Sequence, residues 1–148
     1  MSFKFDPSAA EERKYITKAG TYDVKVTAWK ADVMPPRADF YIRFTLVNNE
    51  GEAVFADIFK KAEKSGTYDR LNQFIASTAT NDEIKKYMDR GEFEIDEDFL
   101  NLIAERSVGR RLRVVVTERK YQKKDGTEGV AYQGSFFRKH PDGCELPY

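Results

Sequence analysis

The 148-residue chain has one cysteine, Cys144, one histidine, His140, and one tryptophan, Trp29. A lone cysteine excludes an intrachain disulfide, and a lone histidine beside it excludes a zinc site built from nitrogen and sulfur ligands. No serine and acid make a convincing triad with His140, and there is no glycine-rich phosphate loop. No apolar run approaches the roughly eighteen residues that a membrane span needs. The opening Met1-Ser2-Phe3-Lys4-Phe5-Asp6 lacks the apolar core of a signal peptide. These absences predict an intracellular, cytoplasmic protein with no cofactor, no metal and no membrane partner. Net charge is missing too, because 25 Lys and Arg balance 25 Asp and Glu.

The zero total hides a segregation. Between Gly109 and Lys139 nine basic residues face only Glu118, Asp125 and Glu128, whereas between Asn81 and Glu105 nine acidic residues face Lys85, Lys86 and Arg90. A polyanion feels the local patch, since charges beyond a Debye length of about 8–10 Å are largely screened. A neutral chain is thus compatible with a basic binding surface. Hydrophobic residues at 41% beside 34% charged ones describe a globular chain, long enough for one domain with its own core.

The pattern divides the chain into an arm over 1–19, a domain over 20–140 with a helical insertion at 61–108, and a short tail over 141–148. The arm carries Phe3 and Phe5, and it is expected either to hold a short helix over Ala9 to Tyr15 or to dock loosely. Gly20 to Ala31 alternates as a strand, with Tyr22, Val24, Val26 and Ala28 on one face and Asp23, Lys25, Thr27 and Trp29 on the other. A loop from Asp32 to Asp39 presents Arg37. A second strand, Phe40 to Val47, turns its core face through Phe40, Ile42, Phe44 and Leu46 and its other face through Tyr41, Arg43 and Thr45. A third, Glu52 to Lys60, carries apolar groups on both faces, so that a helix covers Phe55 and Phe59 or one of them lies exposed. Three helices follow, one on Tyr68, Leu71, Phe74 and Ile75, one capped by Asn81 and ended by Gly91, and one opened by Asp96. Gly109 to Lys139 then reads as a hairpin through Asp125-Gly126. With those two residues central to the turn, Tyr121 stands opposite Val130, Arg119 opposite Tyr132 and Arg113 opposite Arg138.

Five strands with helices between the third and fourth predict a mainly β fold with an α insertion, an oligonucleotide-binding (OB) barrel. Such a barrel holds ligand on the face of its second and third strands, framed by the loops after the first and fourth. Those loops carry Arg37, and Lys123 with Lys124. The polar strand faces supply Trp29, Tyr41, Tyr121 and Tyr132 as stacking platforms, with Lys25, Arg43, Arg111, Arg113 and Arg119 as further phosphate contacts. Unstacked bases rest on aromatic rings and phosphates attract cations without regard to sequence, so the pattern points to single-stranded nucleic acid. For Trp29 a second reading is open, as a cover for the end of the sheet or a partner of the arm.

Phe5-Asp6, the run Ala19-Gly20-Thr21-Tyr22-Asp23-Val24-Lys25-Val26, the strand Tyr41-Ile42-Arg43-Phe44-Thr45-Leu46 and the run Val108-Gly109-Arg110-Arg111-Leu112-Arg113-Val114 together carry a likeness. On these residues the chain resembles a family of small phage-encoded proteins associated with OB-fold single-stranded-DNA binding. The resemblance implies a non-catalytic accessory of phage replication or recombination, acting on single-stranded DNA in the host cytoplasm beside other replication or recombination proteins. The C-terminus departs from the acidic, partner-recruiting tail of many single-stranded-DNA-binding proteins.

Two other readings stand beside this one. Glu118-Arg119-Lys120, with Asp57 as a second carboxylate, matches the metal-binding end of a Mg²⁺-dependent nuclease, although Glu-x-Lys is frequent at solvated strand ends. A protein-interaction module could use the same barrel, since a fold does not fix its function. Strand edges left by partial closure make a homo-oligomer an expectation as well.

Overall fold

The structure, a computed structural model, describes residue 3 and residues 14–34, 39–62 and 68–145. It is mainly β. In chain order the elements are β1 (Lys14–Tyr15), β2 (Gly20–Met34), β3 (Asp39–Asn48), β4 (Glu52–Phe59), α1 (Asp69–Thr78), α2 (Asn81–Arg90), α3 (Glu97–Ser107), β5 (Arg111–Gln122) and β6 (Glu128–Arg138). The six strands form one mixed sheet in the order β1-β4-β3-β2-β5-β6, and a further pairing of β4 with β6 joins five of them into a ring.

The ring depends on β2, which is long enough to serve two neighbours. Residues 20–25 pair with β5, and residues 24–34 pair with β3. Antiparallel β3–β4 and β5–β6 pairs follow, and the parallel pair Phe55 with Gln133 links the two halves. Strand β1 runs parallel to β4, with Lys14 beside Glu52, where a helix over Ala9 to Tyr15 was one expectation. The rest of that stretch lies outside the described residues. The expected loop over Asp32 to Asp39 is shorter than it reads, because β2 persists to Met34 and β3 begins at Asp39.

Alternating residues of β2, β3, β4 and β5 fill the ring: Val24, Val26, Ile42, Phe44, Leu46, Val54, Ile58, Leu112, Val114 and Val116 are all buried. Helix α1 packs against β6, and α3 against β2 and β3. Phe74 of α1 is fully buried, its ring 4.2 Å from that of Phe44 and 5.3 Å from that of Phe137. The helix also serves the β6 backbone, with Arg70 donating to the Gly134 carbonyl and Gln73 accepting from the Phe137 amide. Gly134 fits a close approach, since a Cβ there would lie 2.9 Å from Val114 Cγ2 and 3.0 Å from the Ala56 Cβ.

The N-cap of α2 is Thr80, one residue before the expected Asn81. Thr80 and Glu83 make a reciprocal capping box, each side chain bonded to the other's backbone amide. Glu83 then reaches Arg110 at 2.5 Å, tying the start of α2 to the approach of β5. Burial pushes the Glu83 carboxyl up, but the bonds from Arg110 and the Thr80 amide outweigh it, leaving its pKa below the ordinary 4.5. A depressed folded-state pKa contributes stability that is present above the unfolded value and lost as pH falls through the folded one. Thermal melting should therefore fall as pH drops below about 4.5. Glu83→Gln should lower the midpoint at pH 7 and flatten that acid slope, and an unchanged slope would remove Glu83 from the account.

Candidate nucleic-acid interface

On the outside of the ring, aromatic side chains gather over β3 and β4 around one cation, Arg43. Tyr41 and Phe59 are register partners with stacked rings 5.2 Å apart. One row along, Arg43 donates from Nε and from a terminal nitrogen to the two Asp57 oxygens at 2.8 and 3.0 Å, and its guanidinium lies 5.5 Å from the Phe55 ring. Tyr15 of β1 extends this group, 6.0 Å from Phe55. The hydrogen bond to Asp57 raises the Arg43 pKa against a smaller effect of burial, so the guanidinium is held charged.

The β4–β6 link carries this face onward. Phe55 neighbours Gln133, and Gln133 pairs with Thr117, so the outward row continues onto β5 through Thr117, Arg119 and Tyr121. Beyond Val116, β5 has lost its β2 partner, and the β5–β6 hairpin projects from the ring. Arg119, Tyr121, Lys123 and Lys124 are exposed on it, and none of these three cations is in an ion pair among the described residues. A Cβ on Gly129 would lie 2.6 Å from Tyr121 Cζ, so this glycine leaves room for the Tyr121 ring across its backbone.

The remaining basic residues form a third group on β2 and β5, with different partners. Lys25 stands beside Arg111 in register and is exposed. Arg111 is committed to the tail, donating to the Gly143 and Asp142 carbonyls at 2.8 Å each. Arg113 donates to Asp23 at 2.7 Å, and that hydrogen bond holds the Asp23 carboxyl below its ordinary range. Arg113 does stand opposite Arg138, as expected.

Two expected platforms face the other way. A bulge between Val26 and Ala28 adds one residue to β2 and inverts the alternation beyond it. Trp29 consequently pairs with the buried Phe44 and packs against the core, off the Lys25 face. Tyr132 stands opposite Glu118, with Arg119 opposite Ala131 and Tyr121 opposite Gly129. Its ring also packs against the core. The cause is a turn longer than Asp125-Gly126. The Gly126 amide bonds to the Lys123 carbonyl, and Lys123 and Thr127 close a three-residue loop whose last position, Gly126, has φ 87°. A bulge between Val115 and Val116 then restores the expected register at Arg113.

Arg37 lies outside the described residues. Phe55, Phe59 and Tyr15 join the outer group without having been singled out as ligands, although the alternation of Phe55, Asp57 and Phe59 already placed two of them beside each other. The nuclease ligands are not brought together, since Asp57 shares the outer face with Phe55 whereas Glu118 falls one residue past Thr117, on the opposite side. Lys120 lies 3.7 Å from Glu128. Among the described residues no three His, Cys, Asp or Glu side chains converge on a metal position, and no helix is long and apolar enough to cross a membrane. No protein-family model matches the sequence, and no curated protein matches it significantly.

Proposed function

We propose that this chain binds single-stranded DNA without sequence preference on the outer face of β3 and β4 and along the β5–β6 hairpin. The observation that carries the proposal is the Tyr41–Phe59 stack beside Arg43 over Phe55, rings and a fixed cation on one strand face. Bases would rest on Tyr41, Phe59 and Tyr121, and phosphates on Arg43, Arg119, Lys123 and Lys124. The strand order, with the long β2 shared between two neighbours and a parallel link between β4 and β6, supports an OB barrel. The likeness to phage-encoded OB-fold proteins supports a replication or recombination accessory in the host cytoplasm, non-catalytic and working beside other phage proteins.

Fluorescein-labelled oligo-dT is the probe. Its anisotropy should rise on titration, and log affinity should fall with log salt at about −0.7 per phosphate neutralised. Trp29 emission should stay nearly constant during the same titration, because its ring packs inward. No anisotropy change at low salt would end the proposal.

An interaction module is the second reading, and a specific observation favours it: Asp57 and Asp23 already occupy Arg43 and Arg113, as acidic groups of a protein partner would. The two readings part at Asp57→Asn. On the nucleic-acid reading this change frees Arg43 for a phosphate and tightens oligo-dT by about three- to ten-fold at low salt. Unchanged or weaker oligo-dT binding would favour the module.

A further inference from the structure

A bulge sets which side chains β6 turns outward. Its register passes from Phe136 opposite Val115 to Gly134 opposite Val116, so Ser135 is one residue extra on β6. The buried Gly134 and Phe137 therefore stand three positions apart, and Phe136 and Arg138 share the outer side with Val115 and Arg113, their partners across the pair. Phe136 keeps 50% of its surface exposed, with Arg113 and Arg138 on the next outward row.

The cations on this face are arranged against the stability of the sheet. Arg138 lies directly across from Arg113, and on the following row Arg111 lies directly across from Lys25. Like charges placed opposite each other destabilise a strand pair. Asp23 relieves the first row through its bond to Arg113, with His140 Nε2 4.0 Å from the same carboxylate. Arg111 is held by the neutral carbonyls of Asp142 and Gly143, which fix its direction and leave its charge uncompensated. Lys25, Arg138 and Lys139 are exposed and in no ion pair among the described residues. Against these cations stand Asp23 and the tail carboxylates of Asp142 and Glu145. A single exposed Phe needs no explanation, but one beside unrelieved cations offers a ring for a base and charge for phosphates.

The same outward row leads to the hairpin. From Arg111 it runs through Arg113, Val115, Thr117 and Arg119 to Tyr121, about 33 Å at roughly 3.3 Å per residue. Neither these residues nor their β6 partners include a carboxylate, since Glu118 and Glu128 fall on the other side. We infer that the outer face of β5 and β6, from Lys25 to Phe136, binds a further segment of a single-stranded nucleic acid, with a base on Phe136 and phosphates on Lys25 and Arg138. The inference rests on the nucleic-acid reading above and extends its path past the hairpin. An extended polyanion fits this track because the repulsion it relieves is spread over two rows of the sheet.

The probe is oligo-dT of about sixteen nucleotides, titrated into the isotope-labelled full chain. It should shift the amide resonances of Lys25, Phe136 and Arg138 as well as those of Tyr41 and Phe59. Phe136→Ala, at an exposed position, should keep the melting midpoint and weaken this oligonucleotide by about five-fold or more with an unchanged salt slope. Arg138→Glu should flatten the slope instead. Shifts at Tyr41 and Phe59 with none at Phe136 would overturn the inference and leave the β3–β4 contacts in place, as would a Phe136→Ala variant that binds at full strength. Shifts at Phe136 with none at Tyr41 would support this segment and remove the β3–β4 contacts. A peptide of glutamate and phenylalanine that moves the Phe136 resonance where oligo-dT does not would also overturn the inference, naming an acidic protein segment as the occupant.

Discussion

Replacing Tyr41 and Phe59 together by alanine is expected to weaken oligo-dT binding by about 2–4 kcal/mol, a loss of roughly thirty-fold to a thousand-fold. A stacked base is worth about 1–3 kcal/mol by alanine substitution, and the double change removes both rings of the 5.2 Å stack. The single changes should not add up to the double one, because each ring positions the other. What separates stacking from charge is the salt dependence. The double variant should lose affinity at every salt concentration while keeping the log–log slope, since no cation has gone. Lys123→Glu with Lys124→Glu should do the reverse and flatten the slope. A double variant that binds as the unmodified chain does would move the bases off β3 and β4. The melting midpoint of each variant, followed by circular dichroism, shows whether the fold survived.

Of those residues, Tyr41, Lys123 and Lys124 were legible in the sequence as ligands and Phe59 was not, and what alternation could and could not place has local reasons. Alternation placed Val24, Val26, Ile42, Phe44, Leu46, Leu112, Val114 and Val116 inside, where they are. It also placed Tyr41 and Arg43 on one outer face, because β3 pairs with β4 without a bulge. It failed at Trp29 and Tyr132, each lying beyond an irregularity that shifts the side-chain phase by one residue. In β2 a trace of the shift was legible, for the large apolar residues step from Val24 and Val26 to Trp29 and then Val33, a change from even to odd positions. In the hairpin nothing in Lys124-Asp125-Gly126 distinguished a two-residue turn from a three-residue one. The partners of the arginines were hidden for another reason. Arg113 meets Asp23 from 90 positions away, and only the β2–β5 register brings them together. The start of α3 read well by comparison, since Asp96 caps it through a local bond that needs no tertiary information, and the cap of α2 fell one residue off, at Thr80.

Phe74→Ala should cost the fold about 3–5 kcal/mol. Its ring is fully buried between Phe44 on β3 and Phe137 on β6, so its loss empties a volume that two other rings cannot fill without moving the helix. A domain of this size holds roughly 5–15 kcal/mol in all, and each kcal/mol is worth about 2–4 °C in midpoint. The midpoint should therefore drop by about 6–20 °C. The loss also reaches β6 through α1, whose Arg70 and Gln73 bond to the Gly134 carbonyl and the Phe137 amide. With α1 loosened, the β6 edge would be left to pair with other chains, so aggregation on heating should accompany the lower midpoint. Phe74→Leu, which leaves a smaller cavity, should recover part of the difference. At 10 °C, where the variant is still folded, oligo-dT affinity should match that of the unmodified chain, because Phe74 lies inside the ring and the proposed contacts lie outside. Melting of Phe74→Ala at the unmodified midpoint would mean that α1 is not what secures β6.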